Sequence, residues 1–313
     1  MKKLLSLLLA AVLLAGCAPT YDGPTETRWV ITESVTEQHS SVTGFIQEER
    51  TLYAYDLYGN LVQTLEYFNG KKTIKTVYAY DNQGNLLTET EYAVAGLFPR
   101  RNWQRTYTYD DRGRLLSDSS DIGSHYLYTY DDATGQRTTT VDGTLTEEAQ
   151  LAPDGTLLWK KEFDRSGWVR TEYTRDRDGK VLAEQVTDST GARYEVYFER
   201  DSHGEYIRSW RVENGVETEL YRQEYEYDDR GRMVRLFKIE DGVRRESSRR
   251  EYLDDYGSYT TYREGKPSHT VIYDEYGHEI ERLHYFDDSG QVGIRQETTW
   301  SAIQVPAKEE EAP

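Results

Sequence analysis

The chain has 313 residues, with 38 Lys and Arg against 56 Asp and Glu, a formal charge of −18 and a mean hydropathy of −0.84. So acidic a surface repels nucleic acid and anionic lipid headgroups and argues against both as partners. Disorder is excluded by 27 Tyr, 7 Phe and 6 Trp, because disordered chains are poor in aromatics and tyrosine suits a pleated, half-buried sheet.

The first element is "MKKLLSLLLAAVLLAGC". Two lysines, an apolar run from Leu4 to Leu14 and small residues before Cys17 follow the order of a secretory leader, too short to span a bilayer. Leu14-Ala15-Gly16-Cys17 resembles the lipobox of bacterial lipoproteins. That resemblance implies cleavage after residue 16, acylation of Cys17, and a lipid anchor in the bacterial cell membrane or outer membrane on its extracytoplasmic side. Cys17 is the sole cysteine, so no intrachain disulfide can form. Residues 17–27 read as a polar tether.

From residue 28 to 300 the sequence reads as one array of strands. Between Gly44 and Gly290 a glycine recurs about every 12 residues, a spacing that predicts all-β structure with regular turns and that helices would not tolerate. Many turns read Asp-x-x-Gly, with Asp opening a type I turn and Gly closing it at positive φ. Two-residue loops stand between them at Asn69-Gly70, Asp142-Gly143, Asn214-Gly215 and Asp241-Gly242, as type I′ turns require. Tyrosines alternate before the turns, and a bulged hairpin sets Tyr55 opposite Leu61, Tyr80 opposite Leu86, Tyr109 opposite Leu115 and Tyr227 opposite Met233. With Asp56 and Gly59, Asp81 and Gly84, Asp110 and Gly113, and Asp228 and Gly231, these residues form a structural module of turn, register clamp and shared core. The expected fold is a long antiparallel meander of about twenty strands, curled into an open spiral, trough or incomplete barrel. Edge strands at both ends would let copies associate. Residues 301–313 read as an acidic, disordered tail.

The stretches "YAYDLYGNL", "YAYDNQGNL", "YTYDDRGRL" and "YEYDDRGRM" (53–61, 78–86, 107–115, 225–233) resemble the YD repeat of the Rhs family, also found in teneurins and insecticidal toxin complexes. Looser copies cover most of the chain from about 50 to 290. The resemblance implies antiparallel repeat sheets and, in several large members, a shell around a toxin; carbohydrate binding is associated with the repeats. No Asp-Pro occurs here, so the Asp-Pro-x-Gly motif that ends those shells is missing and toxin enclosure within this chain is not expected.

For chemistry the sequence is sparse. The six histidines read as surface residues; His278 and His284 miss the spacing of a zinc helix, and "DRDG" (176–179) fails as a calcium loop. No nucleophile or phosphate-loop pattern occurs. No enzyme, cofactor or metal is therefore expected, although carboxylate pairs are too numerous to exclude a glycan-processing enzyme. The position after the turn glycine holds Asn60, Asn85, Arg114, Thr156, Lys180, Glu205, Arg232, Ser258, His278 and Gln291, which reads as a wet polar row. Trp168 breaks the row and is the candidate ligand-binding residue, with a local cap over a neighbouring hairpin as the alternative. The functional expectation is a non-catalytic, lipid-anchored envelope protein that binds glycans; the alternative is a structural or protein-interaction scaffold.

Overall fold

The computed structural model describes residues 25–39, 46–96, 98–286 and 291–306. The leader, Cys17, the tether through residue 24 and residues 307–313 lie outside them. The described residues form 22 strands joined by turns and contain no helix. The strands are β1 (Thr25–His39), β2 (Ile46–Tyr55), β3 (Leu61–Phe68), β4 (Lys71–Tyr80), β5 (Leu86–Ala93), β6 (Arg100–Tyr109), β7 (Leu115–Ser120), β8 (His125–Asp131), β9 (Gln136–Val141), β10 (Thr144–Leu151) and β11 (Leu157–Asp164). They continue as β12 (Gly167–Arg175), β13 (Val181–Asp188), β14 (Arg193–Arg200), β15 (Tyr206–Glu213), β16 (Val216–Tyr227), β17 (Met233–Glu240), β18 (Val243–Tyr252), β19 (Tyr259–Arg263), β20 (Lys266–Tyr273), β21 (Glu279–Tyr285) and β22 (Val292–Pro306). The fold is the all-β antiparallel meander.

The chain divides into two compact units. In the first (through Arg105, Asp254–Ser258 and from His269 on), β2 to β5 pair in succession, as do β20 to β22, and β1 lies between β2 and β22. The terminal strands therefore do not stand at open edges: Thr25–Gln38 pairs with Ile294–Pro306. Ser301–Pro306, expected to begin the tail, is strand because Ile303 and Val305 continue the period-2 apolar pattern and Val305 is fully buried. Thr25–Thr27, expected as tether, is strand as well. In the second unit (Thr106–Leu253 and Tyr259–Ser268), β7 to β19 pair in succession.

The core is thin. Buried apolar residues are Val30, Leu65, Ala149, Val186, Phe237, Val271 and Val305, and more threonines than these are buried beside them, including Thr64 opposite Thr76. Most tyrosines are half-buried, and many of their hydroxyls are hydrogen-bonded, as those of Tyr53, Tyr197 and Tyr285 are.

Candidate binding site

In the turn module, Asp56 Oδ1 accepts the N–H groups of Tyr58 and Asn60 at 2.9 Å each, while Oδ2 accepts Asn60 Nδ2 at 3.0 Å. Asp81 repeats this with Gln83 and Asn85. Arg114 Nε closes back on Asp110 Oδ2 at 2.7 Å, and Arg232 Nε on Asp228 Oδ2 at 2.8 Å. The position after the glycine is thus not a wet row throughout: Asn60, Asn85, Arg114, Arg232 and His278 are half-buried latches and Ser258 is buried. The Asn85 amide, with backbone N–H groups, holds Asp81 below the ordinary carboxylate range.

Across the bulges, Tyr55 pairs with Leu61, Tyr80 with Leu86 and Tyr227 with Met233. The Asp110 N–H bonds to the Arg114 carbonyl at 3.0 Å, closing the turn between Tyr109 and Leu115. The glycines of these turns, Gly59, Gly84, Gly113 and Gly231, all hold positive φ. The tyrosines have a second task that the sequence did not reveal. The β3–β4 ladder stops at Gln63 opposite Val77, which leaves the Leu61 carbonyl beyond it; the Tyr80 hydroxyl donates to that carbonyl at 2.9 Å. Tyr55 does the same to Ile31, Tyr130 to Leu115 and Tyr252 to Met233. Tyr55, Tyr80, Tyr130 and Tyr252 are thus wedges that reach back to an earlier strand, while the Tyr227 hydroxyl donates to Asp201 Oδ2 at 2.6 Å.

Trp168 is placed by a different turn. Asp164 pairs directly with Gly167, so Arg165 and Ser166 form a two-residue loop without the bulge, and Trp168 lies opposite Phe163. Its ring is half-buried, with Lys161 Nζ 4.4 Å from the centroid. A cation already covers it. The ring therefore packs against Lys161 within its own β11–β12 hairpin.

An open aromatic surface exists in the first unit, where neither motif nor spacing pointed. Past the bulge at Thr32, β1 pairs with β22 alone. On one face of this two-stranded ribbon, Trp29 and Trp300 stand on adjacent strands, opposite Ala302 and Ile31 respectively. The His278 ring packs against both, 4.9 Å from Trp29 and 4.7 Å from Trp300, and its Nδ1 lies 3.1 Å from Asp274 Oδ2. Burial works against ionisation of Asp274, but the backbone N–H and imidazole of His278 outweigh it and its carboxyl lies below the ordinary range. Trp300 Nε1 donates to the Glu279 carbonyl at 2.9 Å. Tyr276 completes the cluster, 4.9 Å from Trp29. His278 and Trp300 are half-buried, whereas Tyr276 is 62% exposed and Trp29 38%. On the ribbon's other face, the Arg28 guanidinium donates to the Tyr58 carbonyl at 3.3 Å.

Tyr58, Tyr256 and Tyr276 share a position, the residue before a turn glycine, and each is more than half exposed. All three belong to the first unit. Other Asp-x-x-Gly turns carry Gln83, Arg112, Asp178, Thr190 or Arg230 there, so the signal was present in the turn's third position rather than in its fifth. Exposed rings beside carboxylates can stack on an apolar ligand face and hydrogen-bond its rim. Among the described residues no group of three or more His, Cys, Asp and Glu could hold a metal ion.

Fold and site together define a class: an all-β protein of hairpins clamped in series, with exposed aromatics at one set of turns. No family model matches the chain, and no curated protein does. Among solved structures it is similar to a chain of the TcdB2-TccC3-Cdc42 complex, at 16% identity over 83% of this chain and 15% of that one, with a TM-score of 0.38. It is similar to a chain of the Photorhabdus luminescens Tc holotoxin pore, at 15% identity over 83% and 15%, TM-score 0.33. A porin-like protein from Bacteroides uniformis matches at 10% identity over 89% and 99%, TM-score 0.30. The chain thus spans about 15% of the toxin chains it matches. The strand pairings, not these likenesses, carry the architecture.

Proposed function

We propose that the protein is a lipid-anchored, extracytoplasmic envelope protein whose YD-repeat-like scaffold binds glycans without catalysis. The observation that carries the binding role is the Trp29–Tyr276 surface, rigidly backed by His278 and Trp300. Tyr and Trp faces stack on the apolar face of a sugar ring, and the exposed Glu275, the residue before Tyr276, offers an acceptor to its hydroxyls. Cys17 is the anchor in this reading, and Trp168 has no direct role.

A glycan-array screen of the form starting at Ala18 tests the proposal. The expected result is saturable binding to one glycan class, lost in Tyr276→Ala and retained in Trp168→Ala. Silence across the array would favour the scaffold reading, which the internal stacking of His278 and Trp300 independently supports. Binding lost only in Trp168→Ala would return the site to the second unit. For the anchor, Cys17→Ser should move the protein from the membrane to the soluble fraction.

A further inference from the structure

His269 on β20 and His284 on β21 are directly opposed across an antiparallel pair in the first unit. Their ring centroids are 6.0 Å apart and the rings are tilted by 36°. We propose that this pair is a two-imidazole site for a divalent transition metal such as Zn2+, with water or an external ligand filling the remaining positions.

The geometry carries the idea. A metal–nitrogen bond of about 2.0–2.1 Å puts an imidazole centroid about 3.2 Å from the ion, so two rings on one ion lie at most about 6.4 Å apart and about 5.2 Å apart at the tetrahedral angle. The observed 6.0 Å falls between these limits. Closing to the tetrahedral value takes a side-chain movement of about 0.8 Å, which the exposed His284 can make by rotation. The backbone already sets the spacing, because opposed residues on antiparallel strands hold their Cβ atoms about 4.5–5.5 Å apart.

The charges around the pair permit a cation. Arg282, two residues before His284, engages the Glu279 carboxylate through Nε at 2.8 Å and Nη2 at 2.6 Å. The adjoining strand β22 contributes Ile294 opposite His284 and Gln296 opposite Arg282, neither of them charged. The whole-chain charge of −18 concentrates cations near the surface. With only two protein ligands the site keeps open positions and binds more weakly than a closed structural site.

The test is titration of the metal-free full chain with zinc chloride, followed by calorimetry and by the histidine ring-proton signals in NMR. Expected is saturable uptake of one ion per chain, with only the His269 and His284 resonances shifting. His269→Gln and His284→Gln should each weaken uptake by about tenfold or more, while His125→Gln leaves it unchanged. Zinc should raise the thermal transition of the parent and not of either variant. Uptake unchanged in both variants would place the ion on the acidic turns and overturn the proposal, as would the absence of saturable uptake at pH 7.5. Circular dichroism of the variants separates loss of a ligand from loss of fold.

Discussion

At the scale of single residues, the motif tyrosine joins hairpins through one hydroxyl. Tyr80 supplies a partner to a Leu61 carbonyl that the ladder has left behind. A backbone carbonyl stranded inside a sheet costs about 1–3 kcal/mol, while a net hydrogen bond contributes about 1 kcal/mol. Tyr80→Phe keeps the ring and should lower unfolding free energy by about 1 kcal/mol in urea titration; no measurable change would mean that water replaces the hydroxyl. The turn aspartates respond to pH instead. Asp81, Asp188 and Asp164 are held below the ordinary range, first by side-chain hydrogen bonds from Asn85, Thr190 and Ser166 respectively. A carboxyl whose folded pKa is depressed contributes stability that is complete above its unfolded value, about 3.9, and is lost as pH falls through the folded value. Glu66, raised by burial and by Glu91 and Glu49, has the opposite sign and loses stability as pH rises through its folded pKa. The thermal midpoint should therefore fall steeply only below about pH 4, and the fall should shrink in Asp81→Asn. A steady decline from pH 7 to 5 would assign acid lability to other groups.

At the scale of the hairpin, turn chemistry decides register. Asn69, Asp142, Asn214 and Asp241 hold φ near 50° before a glycine, and Glu264 is forced into the same conformation at φ 51° before Gly265. Asn accepts this region far better than Glu does. Glu264→Asn should raise stability by about 0.5–1 kcal/mol, read as a higher urea midpoint with an unchanged slope. Gly59→Ala should have a large opposite effect, since φ is 81° and a Cβ there would meet Val305 Cγ1 at 3.1 Å. These local rules are what a single sequence shows best: Asp-x-x-Gly, Asn-Gly and the Tyr–Leu register all follow from residues a few positions apart. What escaped is non-local. Trp29, Trp300 and His278 meet only because β1 pairs with β22, and no local periodicity tells a strand which distant edge it will join. The turn before Trp168 misled for a related reason: "DRSG" (164–167) carries the letters of the bulged turn, yet Asp164 pairs with Gly167, and the register after it moves.

At the scale of the whole chain, the balance of forces departs from that of a globule. Among the described residues, buried apolar side chains are few and mostly small, and buried threonines outnumber them. Hydrogen-bonded ladders, hydroxyl wedges and turn carboxylates are therefore expected to carry a larger share of the stability than a hydrophobic core does. Heat capacity separates the two cases, because exposing apolar surface raises it on unfolding and exposing polar surface lowers it. Ordinary domains gain about 12–15 cal/mol/K per residue. This chain should gain clearly less, summed over however many transitions its two units show in scanning calorimetry. Its stability curve should be correspondingly flat, changing little between 5 and 40 °C. A heat-capacity gain in the ordinary range would mean that the half-buried tyrosine rings behave as core, and that apolar burial by those rings, rather than the polar clamps, holds the hairpins together.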